Sequence, residues 1–239
     1  MANANVTFIY GADLRKHRPG EVAAATGFGA PRCGFPAIGK NFALDSHGGP
    51  RVVLAACRSV CELVVLVNGL PGAGKTTVAR ALGRALGLPV FSKDDLKETL
   101  ADVLERPGGI DEREWSRRLG AAAGESMWTL LANAGRGAVL ESPWLAPLRP
   151  VVLAGLRRAG VQDIAGVREV WCEVPPELAR RRYERRARQA IHGDAEVGDE
   201  RWREWVAGAR PLGLGAVYRL DTSITVDISR LAGLCETPQ

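Results

Sequence analysis

Long apolar runs are missing from this chain. Charged residues or glycines cut every hydrophobic stretch well short of the ~20 residues a membrane-spanning helix needs, so no membrane span is expected. The N-terminus lacks the continuous apolar core and cleavage-like site of a secretory leader, and export is not expected either. Cysteine is scarce: five residues, an odd number at irregular spacings, which argues against a disulfide framework. Cys57 and Cys61 are four apart with no second pair to complete a zinc site, while Cys172 lies in an apolar run that reads as core. His192 likewise has no second metal ligand spaced to join it. A reducing cytoplasm fits these absences.

Charge of one sign is also in short supply where it would matter. The formal net charge is +5, but residues 1–61 hold seven basic residues against three acidic ones, which leaves 25 and 24 for the remainder. The bulk of the chain is therefore nearly neutral, and overall charge gives no reason to favour a nucleic-acid partner. Residues 1–61 also lack sustained apolar periodicity: apart from Val52 to Ala56, glycine and proline punctuate them every few residues. They read as a poorly ordered, weakly basic extension. The only methionines are Met1 and Met127, so a later start would need another codon, such as that of Val60.

What the chain does have is Gly69-Leu70-Pro71-Gly72-Ala73-Gly74-Lys75-Thr76, an ungapped match to G-x-x-x-x-G-K-[ST]. It comes after the β-branched run Leu63 to Val67 and precedes a helical pattern from Thr77 to Leu86, with Thr77 read as ordinary first-turn helix. Strand, glycine loop and helix form the context of a phosphate-binding loop. Glycines let backbone N–H groups turn inward around phosphate oxygens, and the helix N-terminus adds partial positive charge behind them. Lys75 is expected at the β- and γ-phosphates, and the Thr76 hydroxyl on Mg²⁺. Gly69 to Thr77 is thus the expected binding segment for a nucleoside triphosphate, taken to be ATP.

From residue 62 onward, strand and helix patterns alternate, the signature of a parallel sheet covered on both faces. Strands are predicted at Leu63–Asn68, Pro89–Ser92, Gly137–Glu141, Arg168–Val174 and Val217–Leu220. Helices are predicted at Lys75–Leu86, Asp94–Glu105, Asp111–Ala134, Pro147–Ala159, Pro176–Ala190, within Ala195–Ala209, and at Ile228–Leu234. Apolar positions of the long helix are Trp115, Leu119, Met127, Leu130 and Leu131. The expected class is α/β: a P-loop kinase fold over 62–239, with five parallel strands, flanking helices and a helical lid near 180–209.

A second group, Ser92-Lys93-Asp94-Asp95-Leu96-Lys97, falls at the C-terminal end of the second strand, the edge where open parallel sheets place ligands. A carboxylate there could accept the proton of an attacking hydroxyl. Ser92 also reads as a helix cap, with Asp94 and Asp95 complementing the helix N-terminus; one can cap while the other faces the site. Lys97, one turn on, could hold a substrate oxygen or a transferring phosphoryl group.

Together these motifs resemble the P-loop kinases grouped with polynucleotide kinase, zeta toxin and chloramphenicol phosphotransferase, over about Leu63 to Asp221. The resemblance implies Asp94 as general base, with Lys97 where polynucleotide kinases carry arginine. It includes Glu141 ending the third strand, Arg182-Tyr183 and Arg186 on the lid helix, and Asp221-Thr222 ending the fifth strand. Arg182 and Arg186 are four apart, so one helix face would present both to the developing charge; Glu177 and Glu184 offer them structural partners instead. Glu141 could hold Mg²⁺ through water, orient the acceptor or cap the next segment. Asp221 sits near a base-binding loop or ends a strand; the tryptophans read mostly as core or lid packing, and Trp144, which follows the third strand, could instead line an acceptor pocket.

The rival readings lack their signatures. Lys93-Asp94-Asp95 comes too early, one strand after the phosphate loop, for a guanine-reading segment. A mechanical ATPase needs an acidic pair where Glu141-Ser142 has one carboxylate. A kinase acting on a small-molecule hydroxyl leads, a polynucleotide 5′-hydroxyl kinase is second because the arginines could serve it, and a non-catalytic ATP-binding regulator is third.

Overall fold

The computed structural model describes residues 43–44, 50–51, 63–186, 189–192 and 197–237. The chain divides into two compact units, Met1–Leu54 and Ala55–Gln239. In the first, Ala43–Leu44 pairs antiparallel with Pro50–Arg51. The remaining residues expected to form a poorly ordered extension lie outside the described ones.

The second unit alternates strand and helix. Its strands are β1 (Leu63–Gly69), β2 (Val90–Ser92), β3 (Gly137–Glu141), β4 (Arg168–Glu173) and β5 (Ala216–Asp221). Its helices are α1 (Lys75–Leu86), α2 (Lys93–Val103), α3 (Glu112–Ala132), α4 (Arg149–Arg158), α5 (Pro176–Glu184), α6 (Asp199–Ala207) and α7 (Ile228–Glu236). The strands form one parallel sheet in the order β2-β3-β1-β4-β5. No helix among the described residues is long and apolar enough to cross a membrane.

The central strand explains why its sequence is an unbroken apolar run. Val64 and Leu66 pack into the layer with Met127, Trp128 and Leu131 of α3 and with Val152 and Leu156 of α4. Val65 and Val67 point the other way, into the layer with Val78 and Leu82 of α1, Ala179 of α5 and Leu231 of α7. Period-two alternation with both faces covered demands apolar residues at every position.

Helix ends obey local chemistry. Gly87 closes α1 in the left-handed region at φ +63°, donating its N–H to Arg84 and Gly83 carbonyls. The Ser92 hydroxyl caps α2 by accepting from the Asp95 N–H, and Asp111 caps α3 by accepting from Glu114. Helix α5 departs from expectation by ending at Glu184 instead of Ala190. Ala179 and Tyr183 are its buried positions, and Arg185 and Arg186 bring no apolar side chain to continue that stripe. Leu130 departs too: it is exposed, and Trp128 takes the core position on α3.

Helices α3 and α4 approach closely at Gly155. A Cβ there would stand 2.1 Å from the Trp128 ring, which is itself stacked on Trp144 at 5.7 Å. In an exposed helix Gly155→Ala would gain about 1 kcal/mol, whereas forcing a methyl into a rigid packed contact costs about 1–3 kcal/mol or more. The clash wins. Gly155→Ala is expected to lower the thermal unfolding midpoint by several degrees, measured by calorimetry; an unchanged or raised midpoint would show that α3 and α4 can separate freely.

Because all five strands run the same way, their C-terminal ends share one edge. That edge gathers Gly69, Ser92, Glu141, Glu173 and Asp221.

Candidate active site

The loop after β1 takes the conformation its glycines allow. Gly72 sits at φ +83°, and a Cβ on it would fall 2.1 Å from the Ala179 carbonyl oxygen of α5. Gly74, at φ +80°, opens α1, which has neither a side-chain cap nor an acid in its first turn. The positive end of that helix is therefore left for an external anion. Ala73 N–H donates to the Leu70 carbonyl at 3.0 Å, and Thr222 at the end of β5 donates its hydroxyl to the Ala73 carbonyl at 2.7 Å. Thr76 is half-buried in the first turn of α1 and Thr77 is exposed.

Lys75 is buried, with its Nζ donating to the Leu70 carbonyl at 2.9 Å. Burial is the largest cause that pulls its amine below the ordinary value; Arg186 adds to this, and Glu141, Cys172 and Asp94 oppose it. Glu141 is 2% exposed at the end of β3 and accepts a hydrogen bond from Ser92 Oγ at 2.8 Å. Burial pushes its carboxyl above the usual range, against the pull of Lys75 and the Ser92 hydroxyl. Cys172 is core, as its sequence context implied, and burial pushes its thiol up to about 12.

The two aspartates at the start of α2 separate by direction. Asp95 forms an exposed ion pair with Arg80 at 3.0 Å. Asp94 instead lines a cavity of about 1010 Å³, together with Pro71 and Lys75 of the loop, Glu141, Lys97 and Arg186. Lys97 is buried; its Nζ donates to Ser116 Oγ at 2.8 Å and to the Ile191 carbonyl at 2.9 Å, tying α2 to α3 and to the turn Ala190–His192. His192 joins the same seam through Glu98 at 2.7 Å.

The arginines do not share one face, because α5 ends between them. Arg186 lines the cavity, while Arg182 donates to the Thr222 carbonyl at 3.2 Å. Arg180 is held by Glu184 and Asp199. Trp144 does not line the cavity: it is buried against Trp128, and its neighbours Pro143 and Leu145 line it instead. Asp221 accepts from the Ser223 backbone and hydroxyl, which holds its carboxyl low and ends the strand.

Sequence reasoning passed over Lys93, Arg113 and Ser116, which line the cavity from α2 and α3. Their i, i+3 spacing on α3 was the available signal for the last two, yet it becomes meaningful only once α3 is known to lie across α2. Glu169 was also unsignalled. Buried near the start of β4, it accepts from Asn68 Nδ2 and from the Leu212 and Gly213 amides, pinning the approach to β5.

A family profile described as an AAA domain matches residues 64–212. The chain belongs to the AAA domain family. A shikimate kinase of Symbiobacterium thermophilum is 33% identical over 157 residues, which cover 63% of this chain and 72% of that protein. An uncharacterised protein of Mycobacterium tuberculosis is 27% identical over 173 residues, 66% of this chain. The match is 34% of that protein's length, so the chain spans about a third of the first curated relatives it matches. Among solved structures, a protein of Chloroflexus aurantiacus assigned as a kinase superposes with a TM-score of 0.58 at 25% identity, covering 73% of this chain and 96% of that one. The fold, the family and these neighbours place this AAA domain protein in the P-loop kinase group.

For a member of this group the donor set suits Mg²⁺ rather than a tightly caged metal. Among the described residues no three His, Cys, Asp or Glu side chains cluster to hold a metal ion. Mg²⁺ takes one or two protein oxygens and completes its shell with phosphates and water; the Glu141 and Asp94 carboxyls line the cavity beside the loop, and Thr76 follows Lys75 in the first turn of α1.

Proposed function

We propose that this protein transfers the γ-phosphoryl group of Mg·ATP to the hydroxyl of a small molecule. The observation that carries the reading is the shared cavity: Asp94 and Lys75 face the same space, one from the start of α2 and one from the phosphate loop. A hydrolase has no need for an open space of this size beside its loop, whereas an acceptor does.

In this reading the loop from Gly69 to Thr77, with amides near the start of α1, and Lys75 hold the triphosphate. Thr76 and the Glu141 carboxyl would hold Mg²⁺ directly or through water; the ion would neutralise phosphate charge. Asp94 takes the proton as the acceptor O–H bond breaks, a new O–P bond forms, and the bond from the γ-phosphorus to the bridging oxygen opens to leave ADP. Arg186 faces the charge that develops during transfer. Arg182, bonded to Thr222, is assigned to holding the nucleotide side of the loop. Lys97 positions α2 against α3 and the turn at Ile191, which sets the acceptor wall.

The shikimate kinase relative supports a small alcohol over a polynucleotide end. So does the engagement of Arg180 and Arg182 with protein partners, which removes them from a polyanion groove. The test is a screen of metabolite alcohols and 5′-hydroxyl oligonucleotides for acceptor-dependent ADP release. We expect stimulation by small alcohols alone. Stimulation by oligonucleotides alone would replace the acceptor class, and tight Mg·ATP binding with no acceptor would make the protein a regulator.

A further inference from the structure

We infer that Ser92 is a positioning residue for the metal-side carboxylate: its hydroxyl holds Glu141 so that one carboxylate oxygen stays available to Mg²⁺. This rests on the phosphoryl-transfer reading above, which gives Glu141 its role, and adds a residue with no part in it so far.

Ser92 ends β2 and Glu141 ends β3, and the two stand opposite each other in the parallel register. Side chains alternate faces along each strand, so paired positions share a face. Both residues are buried. A carboxyl taken out of water needs hydrogen-bond donors to replace its hydration. Among the described residues Glu141 receives one such bond, from Ser92 Oγ to Oε2 at 2.8 Å. Oε1 receives none. The one enclosed side-chain N or O atom without a partner among the described residues is Arg168 Nε, so Oε1 is open to solvent, and Glu141 lines the cavity with Lys75. The two oxygens are divided: Oε2 is fixed within the protein and Oε1 is left for the cavity.

The Ser92 hydroxyl has a second bond. As the N-cap of α2 it accepts from the Asp95 N–H at 3.4 Å, the outer limit for such a bond. The bond to Glu141 is the shorter of the two, so the hydroxyl is held more by the carboxyl than by the helix. Capping needs only an acceptor, and aspartate or asparagine caps as well as serine does. Aspartate here would set a second carboxylate against Glu141. Serine both accepts from the helix and donates to the acid, which ties the orientation of Glu141 to the start of α2.

The test is calorimetry of ATP binding to the full chain, in EDTA and across a Mg²⁺ titration. Ser92→Gly removes the hydroxyl while glycine remains a tolerated N-cap. It should raise the Mg²⁺ concentration that half-maximally enhances ATP binding by about tenfold to a hundredfold, the usual effect of losing a group that orients a metal ligand. Affinity in EDTA, which reports a folded phosphate loop, should stay within about twofold. Ser92→Cys fills the same space with a weak donor and should shift the Mg²⁺ requirement in the same direction. Glu141→Gln should raise that requirement too, and adding Ser92→Gly to it should change it by less than about twofold, because a residue acting through Glu141 then has nothing left to orient. Parent-like Mg²⁺ dependence in both Ser92 variants overturns the positioning role and leaves phosphoryl transfer standing. So does an undiminished effect of Ser92→Gly beside Glu141→Gln, or an equal loss of ATP affinity with and without the metal. If Glu141→Gln itself leaves the Mg²⁺ requirement unchanged, the metal role of Glu141 in the transfer reading falls and this inference with it.

Discussion

Asp94→Asn is expected to bind Mg·ATP as the parent protein does and to transfer phosphoryl groups about 10²–10⁴-fold more slowly, the usual contribution of a positioned base. The exchange keeps size and hydrogen-bonding shape and removes only the ability to take a proton. Helix α2 should survive it, because its N-cap is Ser92 and its exposed ion pair belongs to Asp95. Asp95→Asn is the matched control. It breaks the surface pair with Arg80, worth about 0–1 kcal/mol, and should leave turnover near that of the parent. Calorimetry with Mg·ATP and single-turnover transfer measure the two halves of the result. Full transfer by Asp94→Asn, or loss of transfer by Asp95→Asn instead, would remove Asp94 from the mechanism.

Lys75→Ala is expected to weaken nucleotide affinity about tenfold to a hundredfold and to slow turnover by a further ~10²–10³-fold, since the ammonium faces charge that grows during transfer. This substitution carries a second, pH-dependent cost. Glu141 is buried, and burial already lifts its carboxyl above the ordinary 4.5 while Lys75 pulls it down. Without the ammonium the folded-state value rises further. At this position the folded protein then binds more protons than the unfolded one, so the contribution of Glu141 to stability is fully present below pH 4.5 and is lost as pH rises through the folded-state value. The unfolding midpoint of Lys75→Ala should therefore decline more steeply than that of the parent as pH rises above the ordinary 4.5 of a glutamate. Adding Glu141→Gln to Lys75→Ala should flatten that decline without restoring nucleotide affinity. Unchanged affinity in the stabilised double variant would remove Lys75 from the phosphate site.

Much of this was legible in the sequence, for reasons that differ by element. The phosphate loop could be read because its chemistry is local: glycines at positive φ and a lysine must come after a strand and open a helix within eight residues, Gly69 to Thr76. The end of α5 was misplaced because Arg185 and Arg186 are good helix formers, and propensity alone does not report that no apolar face remains to bury. Trp144 stayed open between two readings because an aromatic after a strand fits a pocket wall and a core layer equally well; the small side of Gly155 and the stack on Trp128 settle it in the core.

By itself the sequence determined the alternation of strands and helices, the parallel class of the sheet and the identity of the phosphate loop. Each is set by residue period and backbone freedom within a few positions along the chain. Only the tertiary structure decided which aspartate faces the loop, that Arg186 and not Arg182 lines the cavity, and that Lys93 and Arg113 line it as well. Those facts depend on how α3, α5 and the sheet edge come together across tens of residues, and no spacing within one segment encodes the direction in which a side chain will meet another element.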